Sequence, residues 1–493
     1  MKKEDRKKEE MKPRSSVDIA AVLYFLLCTV AVPLAVHNNY FDIVETKRMA
    51  YQYGSGVIAL LTSLLFVIRK EKLKIRLHTT EKLLIAFCIA ALLSSYFSSS
   101  FKESFIGSDG WGIGTLTFIL ATEAIILFSN SHFDFDKWAG LFYGVNIVLL
   151  GLMILNSAAI DPLKMHEGML QEQVMSYVST LGNINWLVGY LCLLLPLSFE
   201  RFLKGEKKRT VQWLNLMALI TEIVCVILCA SDGIFLGMGV YIACLLPEII
   251  HNDEDMKKAG FVIVVFALAL LMIRYLAVFN WKYSEMSGLF KMLFKGYVPL
   301  FLLTLGVVTI LSFHRGEKIS DGVRKAILCV TEAGIVACAL YFVYGLIKAY
   351  RAYDYSWGNN RLAIWHESFY LYRVHFLPQH KLFGIGVEML RGWYDPLSKS
   401  LKTVIRSAHS EPVQVFMSMG IAGFTLYSLI CADILLKYLR KDGRRAACRG
   451  YYLALFAYFA QSLVNSAIAL NFALETVVIA LLLKELKKDE EEI

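Results

Sequence analysis

The sequence predicts an all-α polytopic membrane protein of about 12–14 transmembrane helices with one large extracytoplasmic loop. Three observations carry this. Of the 493 residues, 57% are hydrophobic and only 19% are charged, more apolar surface than a soluble core uses. Apolar runs of roughly 17 to 23 residues recur from Val17 to Leu483, each long enough to cross a hydrocarbon core as a helix. The alternating pattern of a membrane β-barrel is absent. Finally, Lys and Arg crowd into every second link (RKEKLKIR, ERFLKGEKKR, HRGEKISDGVRK, KYLRKDGRRAACR), which the positive-inside bias places in the cytoplasm. The net charge of +9 thus flanks spans, and nucleic acid is not an expected partner.

In chain order, residues 1–16 form a basic cytoplasmic N-terminus. The next apolar run lacks a small-x-small cleavage site and is long enough to span, so a retained first helix is expected rather than a signal peptide. A bundle of about 11 spans over 17–346 follows, with helices near 17–36, 54–68, 81–97, 113–129, 138–156, 184–199, 211–229, 233–250, 259–279, 293–313 and 325–346. Residues 347–411 are the extracytoplasmic loop, and 412–486 hold C-terminal spans near 412–436, 450–470 and 472–483. A cytoplasmic tail, 487–493, closes the chain. Nine of the ten cysteines lie in apolar runs and Cys448 lies in a basic link, so no disulfide framework is implied.

Inside the loop, Leu362, Trp365, Phe369, Tyr372 and Phe376 recur at spacings of three and four and make one apolar face of a helix. Asn359 or Asn360 can cap its start, and Pro378 follows its end. With Arg361, His366, Arg373 and His375 around the other face, it reads as an interfacial helix; an amphipathic helix packed on the bundle explains the pattern equally well. The Gly384-Ile385-Gly386 element marks a turn.

Polar groups within spans are costly and need a reason. Asn183, Asn185, Asp232, Arg274, Asn471 and Glu475 all fall toward the outer ends of their helices, while Glu123 and Glu222 sit deeper. They either satisfy one another, as Arg274 would with Asp232 or Glu475, or form a site on the side of the loop. His409 is the sharpest candidate. It precedes Pro412, which suits the first turn of a helix, with Ser410 or Glu411 as cap, and such an end favours phosphate. The helix dipole also favours the neutral imidazole, the form able to take a proton from a hydroxyl. Arg361 and Arg406 could grip a diphosphate through forked hydrogen bonds. His366, His375, His380 and His409 could in principle converge on zinc, but no ligand spacing supports a metal.

RLAIW, the LFGIGVEM turn and HSEPVQVFMSMGIAG, taken with LGNINWLVGYLCLLLP and CASDGIFLGMGV upstream, resemble in order and spacing the O-antigen ligase and O-antigen polymerase superfamily over roughly residues 180 to 480. The resemblance implies a GT-C-like fold in the cytoplasmic membrane of a bacterium. It also implies transfer of a glycan from an undecaprenyl-diphosphate carrier to an acceptor glycan or glycolipid on the outer face, without metal, nucleotide sugar or other cofactor. By that resemblance His409 is the base that activates the acceptor hydroxyl and Arg361 holds the carrier diphosphate. Arg406 and Arg274 follow from position and chemistry, and Asn183, Asn185, Asp232 and Trp365 are polar or structural supports. Two departures stand out: Asp232 replaces the arginine of a Ser-Arg-Gly helix start, and Ser410 follows the histidine where asparagine is usual. The alternative is a transporter or flippase of lipid-linked oligosaccharide, which would spread charge through the membrane depth and show paired halves.

Overall fold

A computed structural model describes residues 15–72, 74–107, 112–279, 286, 288–314, 320–402, 404–440 and 445–488. Most of the basic leader, most of the tail and parts of two basic links (315–319 and 441–444) lie outside the described residues. A backbone in hydrocarbon must satisfy its own N–H and C=O groups, so the apolar runs fold as helices. The first five are α1 (Ser16–Leu34), α2 (Ile43–Arg69), α3 (Thr79–Tyr96), α4 (Thr115–Ser129) and α5 (Phe135–Ser157). A two-residue antiparallel hairpin, Tyr177–Val178 with Gly182–Asn183, precedes α6 (Ile184–Lys204), α7 (Arg209–Cys229) and α8 (Gly233–Ile249). Next come α9 (Asp253–Tyr275), α10 (Tyr297–His314) and α11 (Asp321–Arg351). Loop helices α12 (Arg361–Val374) and α13 (Pro378–Phe383) lead to α14 (Glu411–Leu439), α15 (Arg445–Ser462) and α16 (Ala469–Lys488). Among the described residues nine helices are long and apolar enough to cross a membrane, and α4, α8 and α10 are shorter apolar helices. The chain is a multi-pass, all-α membrane protein.

Polar contacts tie the Lys- and Arg-rich links together at one end of the bundle. The backbone N–H of Ser16 donates to Glu71 Oε2 (2.9 Å), and that of His132 to Asp18 Oδ1 (2.7 Å). Lys487 Nζ bonds Glu81 Oε1 (2.6 Å) and Ser129 Oγ (2.8 Å). Arg201 joins Asp136 (2.6 Å), and Arg449 Nε joins Glu200 (2.7 Å). The 351–410 loop, the hairpin and the α15–α16 turn therefore sit at the opposite end.

Helix limits differ from expectation where polar groups act through distant partners. The second span reads as 54–68 because Glu45, Lys47, Arg48 and Gln52 interrupt the apolar run, yet α2 starts at Ile43. The reason lies in α1, which loosens into a π-helical stretch at Leu27–Ala31 and ends beyond Pro33. Lys47, fully buried, donates to the freed carbonyls of Val32 and Pro33 (3.0 Å each) and Ala35 (3.3 Å). Similarly, the span read as 450–470 stops at Ser462, and residues 463–468 turn before α16.

The loop has its own small core. Ile364, Leu371, Phe376, Ile385, Leu390, Tyr394, Ile405, Ala408 and Met417 pack together apart from the main bundle. This core turns α12 relative to the expected face: Leu362 and Phe376 are buried, but so are Ile364, Ser368 and Leu371, while Phe369 is 55% exposed. The Asn360 side chain makes no cap hydrogen bond; Asn360 instead supplies a left-handed backbone (φ 66°).

Glycines fasten this loop to the bundle. Helix α14 breaks at Gly420 (φ 64°, ψ −162°), which frees carbonyls of its preceding turn. The Gly-Ile-Gly turn fills that break: Ile385 N donates to Met417 O (3.3 Å) and Gly386 N to Ser418 O (3.1 Å). A Cβ on Gly384 (φ 82°) would collide with Ser418 O, so both conformation and space demand glycine there. Gly384→Ala should therefore lower the thermal midpoint of detergent-purified protein by several degrees, a cost of about 2 kcal/mol or more. Gly392→Ala, where nothing lies within 4 Å, is the control and should leave it unchanged. Equal midpoints for the two variants would show that the loop does not depend on this contact.

Candidate functional site

Arg361 is aimed by the turn before it. Gly358, Asn359 and Asn360 are all left-handed (φ 64°, 57° and 66°), a conformation that Gly and Asn tolerate best. They put Arg361 at the first position of α12, with its side chain turned toward the α15–α16 connection. Its Nε donates to Val464 O (2.7 Å), one Nη to Gly358 O (2.8 Å) and the other to Asn465 Oδ1 (3.2 Å). Asn465 is itself buried and held by Gln461 Oε1 (2.9 Å). The acceptors are neutral, and among the described residues the carboxylate whose charge acts on Arg361 is that of Asp232. Burial pushes the guanidinium below its ordinary range and Asp232 opposes the shift, but an arginine so placed keeps its charge at neutral pH. Three of its five N–H groups are spent on these bonds, which leaves two for a ligand.

His409 lies in a left-handed turn (φ 48°) just before α14. The turn is pinned on all sides. The Ala408 N–H donates to Gln414 Oε1 (2.9 Å), and Ala408 O accepts from Trp365 Nε1 (3.0 Å). The N–H of His409 donates to Ser407 Oγ (3.3 Å), and Ser407 in turn shares a hydrogen bond with Ser466 Oγ (3.0 Å). Burial first, and the neighbouring Arg361 charge second, pull the half-buried His409 imidazole from its ordinary 6.5 down to about 4. A neutral imidazole therefore stands beside a charged guanidinium, a base and a cation in one site.

The start of α14 is less open than its sequence suggests. Ser410 occupies the cap position without a side-chain cap bond, and the Glu411 N–H is taken by Asn465 O (3.0 Å). With the Glu411 carboxyl in the first turn as well, the positive charge available to an anion comes from Arg361 rather than from the helix end.

Asp232 brings α8 into the cluster, standing where the resemblance would place an arginine. Next to it Ser231 Oγ donates to Asn185 Oδ1 (3.0 Å), and Asn183 caps α6 by accepting from the Asn185 N–H (2.9 Å). Arg361 thus lies within electrostatic reach of both His409 and Asp232, while Trp365 and Asn185 bond the residues next to them, Ala408 and Ser231. Arg406, exposed, and Asn183 act instead on Tyr177 of the hairpin, where both offset the upward shift that burial gives its phenol. Arg274 is not part of the cluster: its guanidinium lies over the Tyr275 ring (5.5 Å) and beside Gly296.

Sequence reasoning missed Ser407, Gln414, Asn465 and Ser466. For Asn465 and Ser466 the signal was SLVNSAI, small polar residues in a run otherwise apolar enough to continue α15. Below the His409 turn lies an apolar cavity of about 110 Å³. Glu388 of the loop, Glu411, Gln414 and Ser418 of α14 and Glu475 of α16 are among its polar lining residues. Among the described residues no three His, Cys, Asp or Glu side chains form a metal-binding group.

Isotope-labelled histidine NMR on the purified protein should show His409 titrating near 4. Arg361→Gln should move that midpoint upward toward 6.5, because a positive neighbour no longer opposes protonation. A midpoint that ignores the substitution would mean the two groups are not neighbours. No family model and no curated protein matches this chain.

Proposed function

We propose that the chain is a membrane glycosyltransferase of the O-antigen ligase and polymerase kind. It works in the cytoplasmic membrane of a bacterium, with both termini in the cytoplasm, a GT-C-like bundle and the loop on the outer face. The donor is an undecaprenyl-diphosphate-linked oligosaccharide, and the acceptor is a glycan or glycolipid. The observation that carries this reading is the neutral His409 imidazole next to an Arg361 guanidinium that has N–H groups to spare.

The chemistry needs little else. The acceptor hydroxyl oxygen attacks the anomeric carbon of the donor while His409 takes the hydroxyl proton. The bond from that carbon to the diphosphate oxygen breaks, and its electron pair leaves with the lipid diphosphate. Arg361 faces the growing negative charge through its two remaining N–H groups, in a half-buried setting where such contacts are stronger than in water. Asp232 offsets part of the Arg361 charge, and Trp365 fixes the backbone on which His409 rides.

Incubating purified protein with lipid-linked repeat units and resolving the product by gel tests this. A ladder identifies a polymerase, and a single shifted band with added acceptor a ligase. Absence of any product with native lipid extracts would contradict both and leave transport of the lipid-linked sugar. His409→Ala should reduce transfer by about 10²- to 10⁴-fold, the usual worth of a positioned base. Arg361→Lys should lose at least about tenfold despite its retained charge, because a lysine cannot keep the Val464 and Asn465 bonds and also fork toward a ligand. Wild-type turnover in either variant would remove that residue from the mechanism.

Because His409 acts as a base only when neutral, kcat/KM should stay level as pH falls through 6.5 and drop only as it nears 4. In Arg361→Gln the falling limb should move to higher pH. A wild-type limb centred at 6.5 would contradict the assignment.

A further inference from the structure

A second concavity, of about 980 Å³, opens on the same end of the bundle, between α12, the Ser99–Gly107 stretch and the segment from Glu388 to Pro396. Its lining is unlike that of the Arg361 cluster. It presents two aromatic rings, Tyr370 and Trp393, and three carboxylates, Glu103, Glu367 and Glu388, beside the guanidinium of Arg391 and the imidazole of His375. Tyr370 is 47% exposed, and Trp393 is half-buried against Phe376 (ring centroids 5.3 Å), which fixes the indole plane. The carboxylates come from three separate parts of the chain, so no local sequence feature explains their meeting.

We infer that this groove binds the acceptor glycan, and that it takes uncharged or amino-sugar pyranoses in preference to uronates. The inference rests on the glycosyl-transfer reading for the ligand's role, though not for its binding. Pyranose rings have apolar C–H faces that stack on aromatic rings and hydroxyl edges that donate hydrogen bonds. Carboxylates are acceptors only, with about four lone-pair sites each, and so match adjacent hydroxyls. A volume of 980 Å³ is at the upper end of the range for ligand sites and admits more than one sugar ring. An acidic sugar would bring its charge against the carboxylates of Glu103 and Glu367, which come from two different elements of the groove wall.

Placement links the groove to the reacting groups. Glu388, buried and in a left-handed conformation (φ 62°), lines both this groove and the apolar cavity below the His409 turn. Gln414, the residue that holds Ala408, lines the same cavity. Leu371 also lines the groove and shares the loop core with Ala408 and Met417. A glycan lying in the groove would therefore end near the His409 turn, where its terminal hydroxyl is needed.

The test is binding without donor. Full-length protein in lipid nanodiscs is applied to immobilised neutral, amino-sugar and uronate oligosaccharides of matched length. Neutral or amino-sugar chains should retain it, and uronate chains should retain at least tenfold less. Tyr370→Ala and, on a separate element, Glu103→Gln should each weaken retention at least fivefold. Both residues are exposed, so a loss of thermal stability is not expected and is checked alongside. Preference for uronates, no retention on any glycan, or unchanged retention in both variants would overturn the assignment. In the transfer assay the same variants should raise the acceptor KM with little change in kcat. Retention without transfer would keep the groove and sink the glycosyl-transfer reading, whereas transfer with unaltered acceptor KM in both variants would sink the groove alone.

Discussion

Arg361 held by the backbone and amide of the α15–α16 connection is the contact on which the rest of the site depends. It joins the start of the loop to the far end of the sequence, more than a hundred positions on, through Val464 O and Asn465 Oδ1. A half-buried guanidinium satisfied only by neutral oxygens is costly unless something else uses its charge. Asp232 answers part of that need from α8, and His409 answers it in reverse by staying neutral beside the cation. Each of the three comes from a different element, so the cluster exists only when the bundle is assembled.

Rigidity around His409 follows from the same economy of partners. Its left-handed turn costs backbone energy that the surrounding bonds must repay: Trp365 to Ala408 O, Gln414 to the Ala408 N–H, and Ser407 to both His409 and Ser466. Beneath, the Gly-Ile-Gly turn locks into the break of α14 at Gly420 and keeps the loop core from sliding along the helix. Base and cation are thereby fixed on a platform that opposite ends of the loop build together.

The fold was readable to the extent that hydrophobic runs report helices and basic links report their ends. It was unreadable where a polar residue serves a remote partner. Lys47 looks like an interruption of a span, because nothing local reveals that α1 loosens near Pro33 and exposes carbonyls for it. Leu463 to Ile468 looks like more helix, because its apolar residues hide the turn that Asn465 makes useful. Among candidate site residues, His409 and Arg361 stand out in the sequence by residue type and by the proline after the histidine. Arg274 shows the limit of depth as a guide. Position along a span gives the level of a residue in the membrane but not the direction in which it points, and Arg274 shares the level without sharing the neighbours.

The central claim is that Arg361 binds a lipid diphosphate within reach of His409, and direct binding tests it without requiring turnover. Native mass spectrometry of the purified protein with undecaprenyl diphosphate should show one retained lipid in the wild type and in His409→Ala, and little in Arg361→Gln. Equal retention by Arg361→Gln, or no retention by the wild type, would contradict the account.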